Sequence, residues 1–168
     1  VMSRENYDDP WWTPLPFSLP MPEKKIALLR KIEGLKIDPL ISAELGLVAK
    51  RLEDSGWVIE EPKAPNFQEA AKFQATLWLG EFRRTGGEAI TKENDPDSNF
   101  IYSQMSRRCP DTSLEKFMDS LQQRARISRE WNKFFDQYPI ILCPITGDIP
   151  FPDLKDLESE ESFDLVFD

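Results

Sequence analysis

Few side chains in this sequence could act on a chemical bond. Cysteine occurs twice, at Cys109 and Cys143, and the second follows an apolar run, Ile140-Ile141-Leu142. A cysteine nucleophile needs a neighbour that draws off its proton. No histidine occurs anywhere in the 168 residues. This excludes Cys–His pairs, Ser–His–Asp triads and histidine metal sites. Any serine chemistry would need lysine or another group as its base. Without a base beside it, Cys143 reads as a buried, inert thiol. Adjacent carboxylates such as Glu60-Glu61 and Glu160-Glu161 point to opposite sides of an extended chain, poor geometry for paired acid–base work. The cysteines lack metal-binding or redox spacing, so neither a metal nor a cofactor is expected, and a disulfide between them stays open.

Composition narrows the partners. A formal net charge of −9 argues against nucleic acid, whose phosphates recruit Lys and Arg, and against an anionic membrane surface. No run approaches the roughly 20 apolar residues of a membrane span, and no signal peptide opens the chain. With its thiols read as reduced, the expected location is cytoplasmic. The length suits one domain with a core large enough to be stable. The 14 prolines concentrate in residues 10 to 22 and 139 to 152, which are therefore expected to be extended and irregular.

The elements that would position any site are legible in outline. Leu114 to Ile145 organises the chain. Apolar or small residues at Leu114, Phe117, Met118, Leu121, Ala125, Ser128, Trp131, Phe134, Phe135 and Tyr138 predict one long amphipathic helix. Thr112 and Glu115 have capping-box spacing, and Pro139 ends the helix. Ile140 to Cys143, apolar on both faces, suits a central strand of a parallel sheet, and such strands carry function at their C-terminal ends.

Upstream, Lys25 to Leu29 predicts a first strand. Asp38 caps a helix with Pro39 at its first position, and Ile41, Leu45, Val48 and Leu52 form its buried stripe. Gly56 suits a left-handed cap. Trp57 to Glu60 completes a parallel βαβ unit, expected to have a right-handed crossover. No Gly-x-Gly-x-x-Gly accompanies it, so no nucleotide site is expected. A further helix runs from Asn66 to about Arg84. Its apolar residues, Phe67 to Phe82, spread around more than one face, which places it between layers or beside a pocket. Residues 85 to 112 read as a polar connection around the turn Asn94-Asp95-Pro96-Asp97, with one short helical turn at Phe100 to Met105. Beyond an extended loop after Pro144, an acidic stretch closes the chain. Such a charge run is expected to be solvated, although its interleaved Leu and Phe residues also fit a segment parted from its packing partner. The expected organisation is an extended proline-rich arm (1–23), an α/β segment (24–152) and an acidic tail (153–168). The fold class is α/β, a small, mainly parallel sheet with flanking helices.

Four features follow one another in the order found in amidase-signature enzymes, the serine amidohydrolases. The first is Asp9-Pro10-Trp11-Trp12 followed by prolines. The second is the βαβ unit from Lys25-Ile26-Ala27-Leu28 through Asp38-Pro39 to Gly56-Trp57-Val58-Ile59-Glu60. The third is the helix carrying Arg126, Arg129, Glu130 and Trp131. The fourth is Tyr138-Pro139, then Leu142-Cys143-Pro144, leading to Pro150-Phe151-Pro152. Together they cover nearly the whole chain.

This resemblance implies a partial α/β/α amidase-like sandwich. It also implies amide hydrolysis by a serine nucleophile, a second serine in a cis peptide and a lysine base, which agrees with the absence of histidine. The family's Gly- and Ser-rich nucleophile segment has no counterpart here. The chain resembles the middle of such an enzyme, after the nucleophile, and none of the three catalytic residues transfers to any position. In a full-length form the implied partner is a small amide substrate. Trp78, Cys143 and Ile145 are the candidate substrate-pocket walls, with simple packing as the alternative for each. With only three strands expected, exposed sheet edges would favour a homo-oligomer, by exchange of the arm or the tail. The competing expectation is a free-standing noncatalytic domain that binds a partner or small molecule.

Overall fold

The computed structural model describes residues 23–167. The proline-rich arm, apart from Glu23, lies outside the described residues. The elements run β1 (Lys25–Leu28), α1 (Pro39–Asp54), β2 (Val58–Glu60), α2 (Phe67–Thr85), α3 (Gly87–Glu93), α4 (Pro96–Arg108), α5 (Leu114–Gln137), β3 (Ile140–Leu142), a 3-10 turn (Lys155–Leu157) and α6 (Glu160–Phe167).

The three strands form one parallel sheet in the order β2-β1-β3, with Ile26 opposite both Ile59 and Ile140. The expected βαβ unit is present and parallel. The expected central strand is not β3, however, but β1. Among the described residues β3 pairs only with β1, and its residues are half-buried, whereas Ile26, Ala27 and Leu28 are buried. An apolar run marks burial on both faces, and β1 and β3 share that property. Which of them is flanked on both sides is decided by pairing. Ala27 and Leu29 form a core with Phe134, against which Phe67, Trp131, Ile141 and Cys143 pack.

Asp38 caps α1 by accepting from the Leu40 N–H at 2.7 Å, with Pro39 in the first turn. Gly56 follows its end at φ +86°, a backbone that a side chain would strain. The inward stripe differs from expectation at one position. Ala49 is buried while Val48 is 38% exposed. Ile41, Leu45 and Leu52 accept either residue as their helical neighbour, and the smaller one faces the interior.

The long helix α5 is capped by Ser113, which accepts from the Lys116 N–H at 3.3 Å, and not by Thr112. Its buried face is also rotated from the expected one. Ser120, Ile127 and Phe134 are buried, with Phe117 and Trp131 half-buried, while Leu114 is 78% exposed and Met118, Leu121 and Phe135 are also exposed. The helix carries two apolar stripes, and among the described residues one of them is buried, with Phe134 on the sheet core and the rest of the stripe on a neighbouring helix. That neighbour is α2, running antiparallel. Phe67 stacks edge-on to Trp131 at 5.0 Å, Glu69 pairs with Arg126, and Gly80 sits against Phe117, where a Cβ would come within 2.9 Å.

Residues 85 to 112 are not a loop with one helical turn but two helices, α3 and α4. The turn between them is real. Asn94 adopts a left-handed conformation at φ 56°, and Asp95 caps α4 by accepting from the Ser98 N–H at 2.7 Å. The acidic tail also departs from the solvated expectation. Phe163 is completely buried, and Asp164 is held by Arg107 at 2.6 Å and Arg108 at 2.7 Å. The tail therefore packs on α4.

Candidate functional site

Two cavities flank the framework. The first, of about 570 Å³, opens where β1 and β2 end, and Lys31, Glu33, Glu61, Lys63, Asn66 and Phe67 are among its walls. Both of its carboxylates are engaged in ion pairs. Lys63 lies 2.7 Å from Glu33, and Arg30 pairs with Glu61. The bond from Lys63 holds the Glu33 carboxyl below its ordinary range. The loop after β1 is tied down by Gln68, which donates to the Gly34 carbonyl at 2.5 Å, and by the Asp38 N–H, which donates to the Gly147 carbonyl at 2.7 Å. A Cβ at Gly147 would stand 2.6 Å from the Lys36 carbonyl oxygen. Only glycine lets the loop after β3 approach the loop after β1 so closely.

At the sheet itself, Tyr138 donates to Glu60 at 2.7 Å, and Lys25 lies 3.0 Å from the same carboxylate and 4.6 Å from the Tyr138 ring centre. The Tyr138 and Lys25 bonds lower the pKa of Glu60. The bond to Glu60 raises both Lys25 and Tyr138. A lysine and a tyrosine that hold their protons more tightly are poor bases near neutral pH. The cluster acts as a strut joining β1, β2 and the end of α5.

The second cavity, of about 430 Å³, lies among α2, α3, α4 and the 3-10 turn. This falls within the size range of small-molecule sites. Trp78 and Phe82 stack at 5.9 Å, and Tyr102 meets Phe82 edge-on at 5.7 Å. Leu79, Met105 and Leu157 add apolar wall, while Asp97, Ser98 and Asp156 supply the polar atoms. Trp78 is thus placed in a cavity, with 46% of its surface exposed. Cys143 is half-buried against the sheet core, and Ile145 is fully exposed. Neither lines either of these cavities, so the three candidate wall residues are not brought together in one of them. Cys109 and Cys143 are both free thiols. Tyr102 of α4 and the tail residues of the second cavity are not among the candidate wall residues of the sequence. The signal for α4 was the spacing of Ile101, Tyr102 and Met105, read as a single turn.

Among the described residues no cluster of acidic or cysteine side chains is placed to hold a metal ion, and no helix is long and apolar enough to cross a membrane.

No family model matches the chain. It is similar to two proteins named indoleacetamide hydrolase. One, from Bradyrhizobium diazoefficiens, is 28% identical over 148 residues, which are 87% of this chain and 28% of that protein. The other, from Bradyrhizobium japonicum, is 29% identical over 148 residues, again 87% of this chain and 32% of that protein. The chain therefore spans about a third or less of the length of these relatives. Among solved structures, a fatty acid amide hydrolase superposes with a TM-score of 0.68 over 82% of this chain and 25% of its own, at 16% identity. That likeness shows the fold, an α/β amidase-like arrangement around a small parallel sheet. The resemblance to amidase-signature hydrolases, read first from four stretches of sequence, thus holds over most of the chain.

Proposed function

We propose that this chain is a segment of a carbon–nitrogen hydrolase acting on small amides, and that by itself it is inactive. The similarity to two indoleacetamide hydrolases over 87% of the chain carries the reading. The proposed inactivity rests on the resemblance. In the amidase-signature enzymes that the chain resembles, hydrolysis relies on an activated serine and a lysine base, a combination that works without histidine, and these 168 residues contain no counterpart of the Gly- and Ser-rich nucleophile segment. The contribution of the segment would be substrate-pocket wall. Trp78 supports this by lying on an aromatic cavity, and Cys143 by sitting just beyond β3, where parallel sheets present ligand sites. Ile145, exposed two residues further on, would meet the substrate only with more protein around it. Self-association through the outer edges of β2 and β3 belongs to the same proposal.

The test is twofold. The purified chain, incubated with indole-3-acetamide, should release no ammonia; turnover that survives rigorous purification overturns the claim of inactivity. The coding sequence that precedes Val1 should encode a Gly- and Ser-rich segment with a lysine ahead of it, and its absence overturns the hydrolase reading.

A further inference from the structure

The aromatic cavity has an electrostatic character that neither its neighbours nor the resemblance explains. Three rings, Trp78, Phe82 and Tyr102, form one continuous wall. Two carboxylates, Asp97 and Asp156, lie on the lining, and no lysine or arginine does among the described residues. Several basic side chains of the surrounding elements are engaged elsewhere. Arg83 donates to the Cys109 carbonyl and lies near Asp111. Arg107 and Arg108 hold Asp164, Lys92 pairs with Glu88 at 2.9 Å, and Lys155 with Glu158 at 2.5 Å. Neither Asp97 nor Asp156 has an ion-pair partner among the described residues. The two come from different elements, Asp97 from the first turn of α4 and Asp156 from the 3-10 turn, so their approach to one cavity is a tertiary event.

Backbone strain occurs at the same place. Leu154, also on the lining, holds a left-handed conformation at φ 58°. A branched residue adopts that backbone only where its surroundings compel it, and such residues cluster at ligand sites. Leu154 opens the 3-10 turn, and Leu154, Asp156 and Leu157 share the lining with the three rings.

Aromatic faces attract cations through their quadrupole, most strongly where water is partly excluded. Carboxylates without counter-ions add a Coulombic preference of the same sign. We infer that this cavity is a binding site for an aryl-alkyl ammonium ion, with the aryl group against Trp78 and Phe82 and the ammonium group between Asp97 and Asp156. The same lining rejects an aryl-alkyl carboxylate. A neutral amide of equal length falls between them, because its N–H groups meet acceptors but it carries no charge. The assignment does not depend on the hydrolase reading, since it concerns equilibrium binding to the chain by itself.

Isothermal titration of the full 168-residue chain with three probes sharing one phenylethyl group tests it. The probes are 2-phenylethylamine, 3-phenylpropionamide and 3-phenylpropionate. The amine should bind about tenfold or more tightly than the carboxylate. The Asp97→Asn and Asp156→Asn variants should each lose amine affinity while leaving the amide unchanged. Trp78→Leu should weaken amine and amide alike. Unchanged far-ultraviolet circular dichroism of the Asn variants separates a lost charge from a lost fold, and the wild-type ranking of the probes stands without any variant. Equal binding of the three probes, tightest binding of the carboxylate, or no heat from the amine at millimolar concentration overturns the assignment.

Discussion

Replacing Phe163 by alanine should release the C-terminal tail without unfolding the sheet. Phe163 is completely buried, stacked on Phe167 at 4.2 Å and edge-on to Phe100 at 6.4 Å. Truncating a fully buried phenylalanine removes about 3–5 kcal/mol. The rest of the tail cannot replace that amount. Its ion pairs, Arg107 to Glu160 and to Asp164, and Arg108 to Asp164, are all partly solvated, and such pairs contribute little. Against them stands the cost of ordering the backbone, about 1–2 kcal/mol for each residue. The eight residues of α6 should therefore detach as a unit. The loss in global stability should be capped at the net docking free energy of the tail, well below the full truncation cost. Amide hydrogen exchange reads this directly. Protection in α6 should fall to that of an unfolded peptide while β1 and α5 keep theirs. The 3-10 turn packs on α6 and should loosen with it, so the aromatic cavity should lose Leu154, Asp156 and Leu157 as walls, with loss of phenylethylamine binding. Full protection of α6 in the variant refutes this account, and so does a uniform loss of protection across the molecule.

Two further expectations follow from the same contacts. The Arg108 bond, with help from Arg107, holds the Asp164 pKa below its ordinary 3.8. A depressed carboxylate stabilises the folded form above its unfolded value and loses that contribution as pH falls through the folded one. Docking of α6 should thus be insensitive to pH near neutrality and weaken below about 3.8, ahead of the sheet; exchange protection of α6 unchanged at pH 2 contradicts it. On α5, Trp131→Ala should cost about 3 kcal/mol, the low end for a large aromatic because it is half-buried, and Met118→Ala should stay within about 0.5 kcal/mol as an exposed substitution. Chemical denaturation checks both, and equal effects would mean that the helix presents a different face to α2.

Much of the local structure was written in short-range chemistry. Asp38-Pro39 and Asn66 start helices because a capping side chain acts on a backbone N–H only two or three residues away, and both do so in the fold; Asp95-Pro96, legible only as a turn, starts a third in the same way. Gly56 ends α1 because only glycine takes its backbone angle without strain. The parallel βαβ unit and the α/β class follow from the alternation of such elements. The absence of histidine excluded whole classes of chemistry before any fold was known.

The choice between equivalent faces needed tertiary structure. Met118 and Trp131 both lie on helical apolar stripes of α5, and period alone cannot say which stripe meets α2. Val48 and Ala49 pose the same ambiguity on α1. Which apolar strand lies in the middle depends on pairing partners far away in sequence. The acidic tail read as solvated because local charge favours water. Arg107 and Arg108, more than 50 residues earlier, supply the counter-charges, and α4 supplies Phe100 to the edge of the Phe163 ring. The aromatic cavity has the same origin. Trp78, Tyr102 and Asp156 belong to three separate elements, each ordinary by itself, and only their packing makes a site with an aromatic wall and an unbalanced negative charge.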